Sequence, residues 1–99
     1  MISIAGTIRI PPENIERAQP YLEAIVNGTR SEPGCIAYSF AWDVMDEGLI
    51  RIFEVFANDA ALAAHRAAPH MAAWRAVQPD LGVSERNLTQ YEIAKSEKI

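Results

Sequence analysis

Ile2, Ile4, Ile8 and Ile10 alternate with Ser3, Ala5, Thr7 and Arg9, a period of two that predicts a first strand with one strongly apolar face. Pro11-Pro12 ends it. Proline has no N–H to give to a strand ladder, yet it is tolerated in the first turn of a helix, where that donor is unused. Ile15, Ala18, Leu22, Ile25, Val26 and Thr29 then recur at spacings of three and four, predicting an amphipathic helix from about Pro12 to about Ser31. Pro20 inside that pattern removes a backbone donor, so a bend near Glu16 to Pro20 is expected. Glu32-Pro33-Gly34 stops the helix.

From Cys35 to Asp43 the large residues Ile36, Tyr38, Phe40 and Trp42 alternate with Cys35, Ala37, Ser39 and Ala41. A strand with no clearly wet face belongs to a sheet covered on both sides. Val44 to Gly48 connects it to a third strand, Leu49 to Phe56, rich in β-branched and aromatic residues. Asn58 or Asp59 can cap the helix that follows, and Ala68-Pro69 interrupts it. Leu62 and His65 lie one turn apart before the break, and His70 and Trp74 one turn apart after it. Gln78 to Gly82 is expected to be a loop. Val83 to Ala94 forms a last strand, with Leu88, Tyr91 and Ile93 its apolar positions, and Lys95 to Ile99 is a polar tail.

Strand, helix, strand, strand, helix, strand is the split βαβ order of the α+β, ferredoxin-like fold with a four-stranded antiparallel sheet, expected here as a single domain over residues 1–99. Two helical layers cover only one face of such a sheet. The other face is too apolar for water, so a homodimer formed sheet against sheet is expected.

Composition removes several classes of function. The 99 residues are 49% hydrophobic with a formal net charge of −4, a mild balance for a globular chain. The nine basic residues form no stripe, so nucleic acid is not an expected partner. No run approaches a membrane span and the N-terminus lacks the pattern of a secretory signal, which predicts a cytoplasmic protein with no membrane partner. Cys35 is alone and has no second thiol for a disulfide or a thiolate metal site. Neither a metal-ligand cluster nor a phosphate-binding glycine loop is evident, so no metal and no cofactor are expected.

The stretch from Arg51 to Arg75 concentrates the chemistry. A strand carrying the carboxylate Glu54 feeds a broken helix that presents His65, His70 and Trp74, a plausible wall for a small-molecule pocket. Glu32-Pro33-Gly34-Cys35-Ile36-Ala37-Tyr38, Phe53-Glu54-Val55-Phe56, Asp59-Ala60-Ala61-Leu62-Ala63-Ala64-His65 and Pro69-His70 together resemble the antibiotic biosynthesis monooxygenase family. That family's pattern is an EPGC-x-x-Y strand entry, a strand ending in E-x-W or E-x-F, a helix with A-L-x-x-H, and a P-H pair. The resemblance covers nearly the whole chain. It implies a dimeric α+β barrel of ferredoxin-like subunits with a pocket between sheet and helices in each. Family members include oxygenases that act on aromatic polyketides or quinols without metal or flavin, haem-degrading enzymes, and proteins of no known activity.

On that resemblance His65 is the candidate base, because an imidazole titrates near neutral pH, and Glu54 is its expected partner. The alternative for both is a packed core pair, the histidine N–H satisfied by the carboxylate. Tyr38, Phe40, Trp74 and His70 are the candidate substrate-binding residues, with a solvated capping role the alternative for His70 and core packing for the aromatics. Trp42 is expected in the core or the dimer interface. Arg51 and Arg86 could steer an acidic substrate, or simply lie at the surface. The function implied is a cofactor-independent monooxygenase oxidising a small aromatic phenol or quinol. A non-catalytic ligand-binding or structural dimer is the alternative. A haem-degrading role fits less well, since those relatives carry a tryptophan near the His65 position and an iron-ligating histidine two to three turns later, whereas here His65 precedes Trp74 and no histidine follows His70.

Overall fold

The computed structural model describes residues 1–99. Its elements in chain order are β1 (Ile2–Arg9), α1 (Ile15–Arg30), β2 (Cys35–Trp42), β3 (Leu49–Phe56), α2 (Asp59–Ala67), α3 (Pro69–Leu81) and β4 (Ser84–Glu92). The four strands form one antiparallel sheet in the order β2-β3-β1-β4, the arrangement expected of a ferredoxin-like α+β fold. The central pair aligns Ile2 with Phe56, Ile4 with Glu54, Gly6 with Ile52 and Ile8 with Ile50. Because side chains alternate across a strand, these eight residues share one face, and Tyr38, Phe40 and Trp42 join it from β2 through their pairing with Glu54, Ile52 and Ile50. Ile2, Ile8, Ile10, Ile50, Ile52 and Phe56 on that side pack with Ala18, Leu22 and Ile25 of α1 and with Leu62, Trp74 and Leu81 of α2 and α3.

The local sequence explains most boundaries. Pro12 to Asn14 form a single 3₁₀ turn before α1 begins, so the helix starts three residues later than its apolar period suggests, and it then runs through Pro20 as one span. Asn58 caps α2, its side-chain oxygen accepting the Ala61 N–H at 2.9 Å. Ala68 is extended (φ −69°, ψ 146°), as a residue before proline must be, and Pro69 opens α3 in the position where proline suits a helix best.

Three expectations are corrected. Gln78 to Leu81 are not loop but the last turn of α3, with Pro79 inside it. Gly82 (φ 72°) then closes the helix, its N–H bonding the Pro79 carbonyl at 3.2 Å while the Val83 N–H bonds that of Gln78 at 3.1 Å. This is a Schellman closure, and it needs the left-handed residue that glycine provides. Ile36 does not share the buried row of Tyr38: a bulge between Cys35 and Ala37 leaves it 56% exposed, while Cys35 packs against the core. β4 is shorter than expected, and Leu88 and Tyr91 lie on opposite sides of it, Leu88 against the core and Tyr91 exposed.

No helix covers the second face of the sheet. Phe53, 49% exposed, stands there with Ala5 and Ser39 as its cross-strand neighbours.

Candidate active site

A cavity of about 600 Å³ lies between the sheet, β4 included, and helices α2 and α3. The sheet contributes Ile4, Ile8, Tyr38, Phe40, Ile52 and Glu54, and the helices contribute Leu62, His65, Met71 and Trp74. Five of the six residues proposed from sequence therefore border one space: His65, Glu54, Tyr38, Phe40 and Trp74. Their rings form a continuous wall. His65 lies 4.8 Å from Phe56 and 5.5 Å from Tyr38 between centroids, Tyr38 stacks on Phe40 at 5.2 Å, and Phe40 meets the edge of Trp74 at 6.2 Å.

The expected partnership of His65 with Glu54 is not made. His65 Nδ1 instead meets Glu32 Oε2 at 3.0 Å, and the same oxygen takes a short hydrogen bond from His70 Nε2. His70, expected to border the substrate, is not among the residues lining the cavity. It sits behind His65, ring centroids 6.2 Å apart, and neither caps a helix nor faces the pocket. The break at Ala68-Pro69 explains the meeting. His65 lies in the last turn of α2 and His70 in the first turn of α3, so the change of helix direction between them lets both imidazoles meet Glu32 in the α1–β2 connection. Glycines at two contacts leave the space for this approach. A Cβ on Gly28 of α1 would stand 2.7 Å from His70 Cγ, and one on Gly34 would stand 2.3 Å from the Ala61 Cβ.

An anionic carboxylate accepts but does not donate, so His65 gives Nδ1–H to Glu32, and a neutral ring so held has its lone pair on Nε2. That is the tautomer of an imidazole held by a carboxylate for proton abstraction. His65 is only 3% exposed and its residue borders the cavity. Glu32 Oε1 is buried and finds no hydrogen-bond partner.

Glu54 has a different environment. It is 7% exposed, forms no hydrogen bond with another side chain, and faces the cavity from the middle of β3. Burial pushes its carboxyl up to about 7; Arg86 and Arg66 pull it back and the Glu32 charge adds to the rise. Near neutral pH it is thus shared between acid and carboxylate. Burial, reinforced by Glu54, holds the Tyr38 phenol well above its ordinary range, so Tyr38 is a hydrogen-bond donor. The Cys35 thiol is also raised, first by burial and then by Glu32 and Glu54, which keeps it from acting as a thiolate.

Glu32, His65 and His70 are also the one ligand cluster in the molecule. One ligand atom from each lies within 4.8 Å of the others, which corrects the expectation that no such cluster exists. Here the carboxylate oxygen stands between the two rings at hydrogen-bonding range, so a divalent ion would have to displace both N–H donors before the nitrogens could ligate it. Of the two arginines weighed from sequence, Arg86 borders the cavity, whereas Arg51 pairs with Asp43 at 2.7 Å on the exposed surface.

Glu32 is the residue that sequence reasoning missed, taken only as part of a helix stop. Its signal was present in the EPGC motif, where a glutamate before Pro-Gly has no helical duty of its own.

Comparison with known proteins gives the family and the fold. An uncharacterized protein of Synechocystis sp., sll1783, is 33% identical over 98 residues, covering 99% of this chain and 67% of that relative. A solved structure from Deinococcus radiodurans, described as a candidate antibiotic biosynthesis monooxygenase, superposes with a TM-score of 0.90 at 27% identity, covering 100% of this chain and 98% of the other. A similarly described structure from Nitrosomonas europaea has a TM-score of 0.84 at 16% identity over 96% of this chain and 100% of its own, a likeness of fold alone. The family model for antibiotic biosynthesis monooxygenase matches residues 1–77, from β1 to within α3 and including Glu32, Glu54, His65 and His70, and the chain belongs to that family.

Proposed function

We propose that the chain is a cofactor-independent monooxygenase that oxidises a small aromatic phenol or quinol in the cavity. The observation that carries this reading is the Glu32–His65 pair, which fixes the tautomer of a buried imidazole beside an aromatic-walled pocket. His65 Nε2 takes the phenolic proton and Glu32 stabilises the imidazolium that results. Glu54 in its neutral form, and Tyr38, donate hydrogen bonds to oxygens on the substrate. The phenolate is electron-rich enough to reduce dioxygen directly. For a simple phenol the balance is phenol plus O₂ to quinone plus water: one oxygen atom enters the ring, the other leaves as water, and all four electrons come from the substrate. Phe40 and Trp74 supply flat apolar surface for the ring.

The same reading places a homodimer on the open sheet face around Phe53, treats residues 1–99 as a single domain, and puts the protein in the cytoplasm. No helix is long and apolar enough to cross a membrane. Oxygen uptake with a panel of quinols and anthrones tests the activity. On the best substrate, His65→Ala should lower turnover by about two to four powers of ten, since a positioned base contributes on that order. A folded His65→Ala protein that keeps full turnover refutes the assignment.

A further inference from the structure

The rim of the cavity carries more positive charge than its walls use. Arg66, Arg75 and Arg86 border it, in a protein whose formal net charge is −4. Two of these guanidinium groups rest on neutral acceptors: Arg66 bonds Gln90 Oε1 at 3.2 Å and Arg75 bonds the Arg66 carbonyl at 3.1 Å. Two carboxylates also line the space. Glu85 is drawn to the Arg9 guanidinium, which holds Asp46 as well, and Glu54 lies buried on β3 out of ion-pair contact with any arginine. Arg86 has no ion pair and no hydrogen bond with another side chain.

The backbone sets the direction of Arg86. In the β1–β4 ladder Thr7 faces Asn87 and Arg9 faces Ser84, so Glu85 and Arg86 together stand against the single residue Ile8. The register of the rest of the ladder already sets Arg86 opposite Ile8, on the face that carries Leu88 and Gln90; the bulge brings Glu85 beside the cavity as well. It does so through Glu85 at φ 49°, a left-handed conformation that a glutamate adopts only against a steric penalty. The Arg9 clamp on Glu85 holds that conformation and removes Glu85 as a partner for its neighbour. The outcome is an unpaired, exposed-headed arginine at the mouth of an apolar cavity whose buried end holds an oriented imidazole.

We infer that the ligand of this cavity is an aromatic phenol bearing a carboxylate, anchored by Arg86 with Arg66 beside it, so that its hydroxyl is delivered to His65 and Glu54. The inference rests on the proton-abstraction reading of the site and adds the chemical class of the substrate. A guanidinium fork matches a carboxylate in two parallel hydrogen bonds, which fixes direction as well as position. An apolar ring alone could enter the cavity either way round.

Two stable probes that differ only in this group test it on the full chain: 6-hydroxy-2-naphthoate, with hydroxyl and carboxylate at opposite ends of the rings, and 2-naphthol, which lacks the carboxylate. Titration calorimetry, with the Trp74 indole N–H shift to place the ligand, should show the naphthoate binding about 10- to 100-fold tighter at low salt, with the advantage shrinking as salt is added. Arg86→Ala should erase that advantage and leave 2-naphthol unchanged; Arg86→Lys should keep part of it. Equal affinity for the two probes overturns the carboxylate inference while leaving the proton-abstraction reading in place. A preference that survives Arg86→Ala overturns the anchor. Arg86→Ala weakening both probes alike overturns it too, by showing that Arg86 serves the charge on Glu54 instead. Binding of neither probe overturns the inference and the reading beneath it together.

Discussion

Along α1 the buried core on the helix-covered side of the sheet is hydrocarbon: Ala18, Ile25, Ile10 and Ile50 are almost wholly removed from water, and the cavity beside them, bordered by Leu22, Glu23, Arg30 and Trp42, is about 330 Å³. Under α2 and α3 the same side is hollow, and it buries Glu54 and His65 beside a cavity large enough for a small aromatic molecule. One half keeps ionisable groups out of its buried core, and the other buries them with either one carboxylate partner or none. Burying an unpaired carboxyl destabilises a fold, so its place in the hollow half marks where structure has been given over to chemistry.

The largest effect on that contrast should come from the core under α1. Ile25→Ala removes a side chain that is 1% exposed, and it should destabilise the protein by about 2 to 5 kcal/mol in urea unfolding. Binding at the cavity should stay unchanged in the folded fraction. A loss below about 1 kcal/mol would show that the core around Ile25 is not closely packed.

Glu54→Gln should move stability the other way, and only at neutral and higher pH. Folding raises the Glu54 carboxyl from its ordinary value of 4.5 to about 7, so the native state holds its proton more tightly than the unfolded chain does. Stability linked to this group is complete below about pH 4.5, declines as pH rises through the interval, and is lost above about pH 7. The full difference amounts to roughly 3 kcal/mol. At pH 8 the Glu54→Gln protein should be the more stable by up to that amount, and at pH 4 the two should melt together. Equal melting at both pH values would mean that Glu54 is hydrated or paired in solution.

Glu32→Gln should have the smallest effect on stability and the more selective one on the site. Losing a charge-assisted acceptor shared by two imidazoles should destabilise by about 1.5 to 3 kcal/mol. It also frees His65 to take either tautomer, which ¹⁵N shifts of the ring would report, and turnover should fall with it. A fixed Nδ1–H tautomer in the Glu32→Gln protein would show that packing against Phe56 and Tyr38, not the carboxylate, orients the ring.

Much of the fold was legible because strand and helix periods are local. The isoleucines of β1 and the three-and-four spacing of α1 named their buried faces directly, and Ala68-Pro69 marked the break on which the histidine arrangement depends. Pro79 misled in the opposite direction: it sits in the last turn of α3, where the Gly82 closure lets the helix continue past it to the buried Leu81. At the site, five candidate residues do share one cavity, but the histidine partner was misassigned. Glu54 and His65 look paired by type and proximity in sequence, while the residue that meets His65 is 33 positions away in a turn.

From the sequence alone came the order of elements, the buried faces of β1 and α1 and the residue types that gather at the pocket, since these depend on repeats of two and of three to four that any short stretch carries within itself. Tertiary structure alone decided which carboxylate holds His65, why Glu54 remains partly protonated near neutral pH, and that Arg86 stands at the cavity without an ion-pair partner. Hydrogen bonds and desolvation depend on separations of a few ångströms between elements far apart in the chain. No periodicity encodes those distances; the packing of α2, α3 and the α1–β2 turn against the sheet sets them.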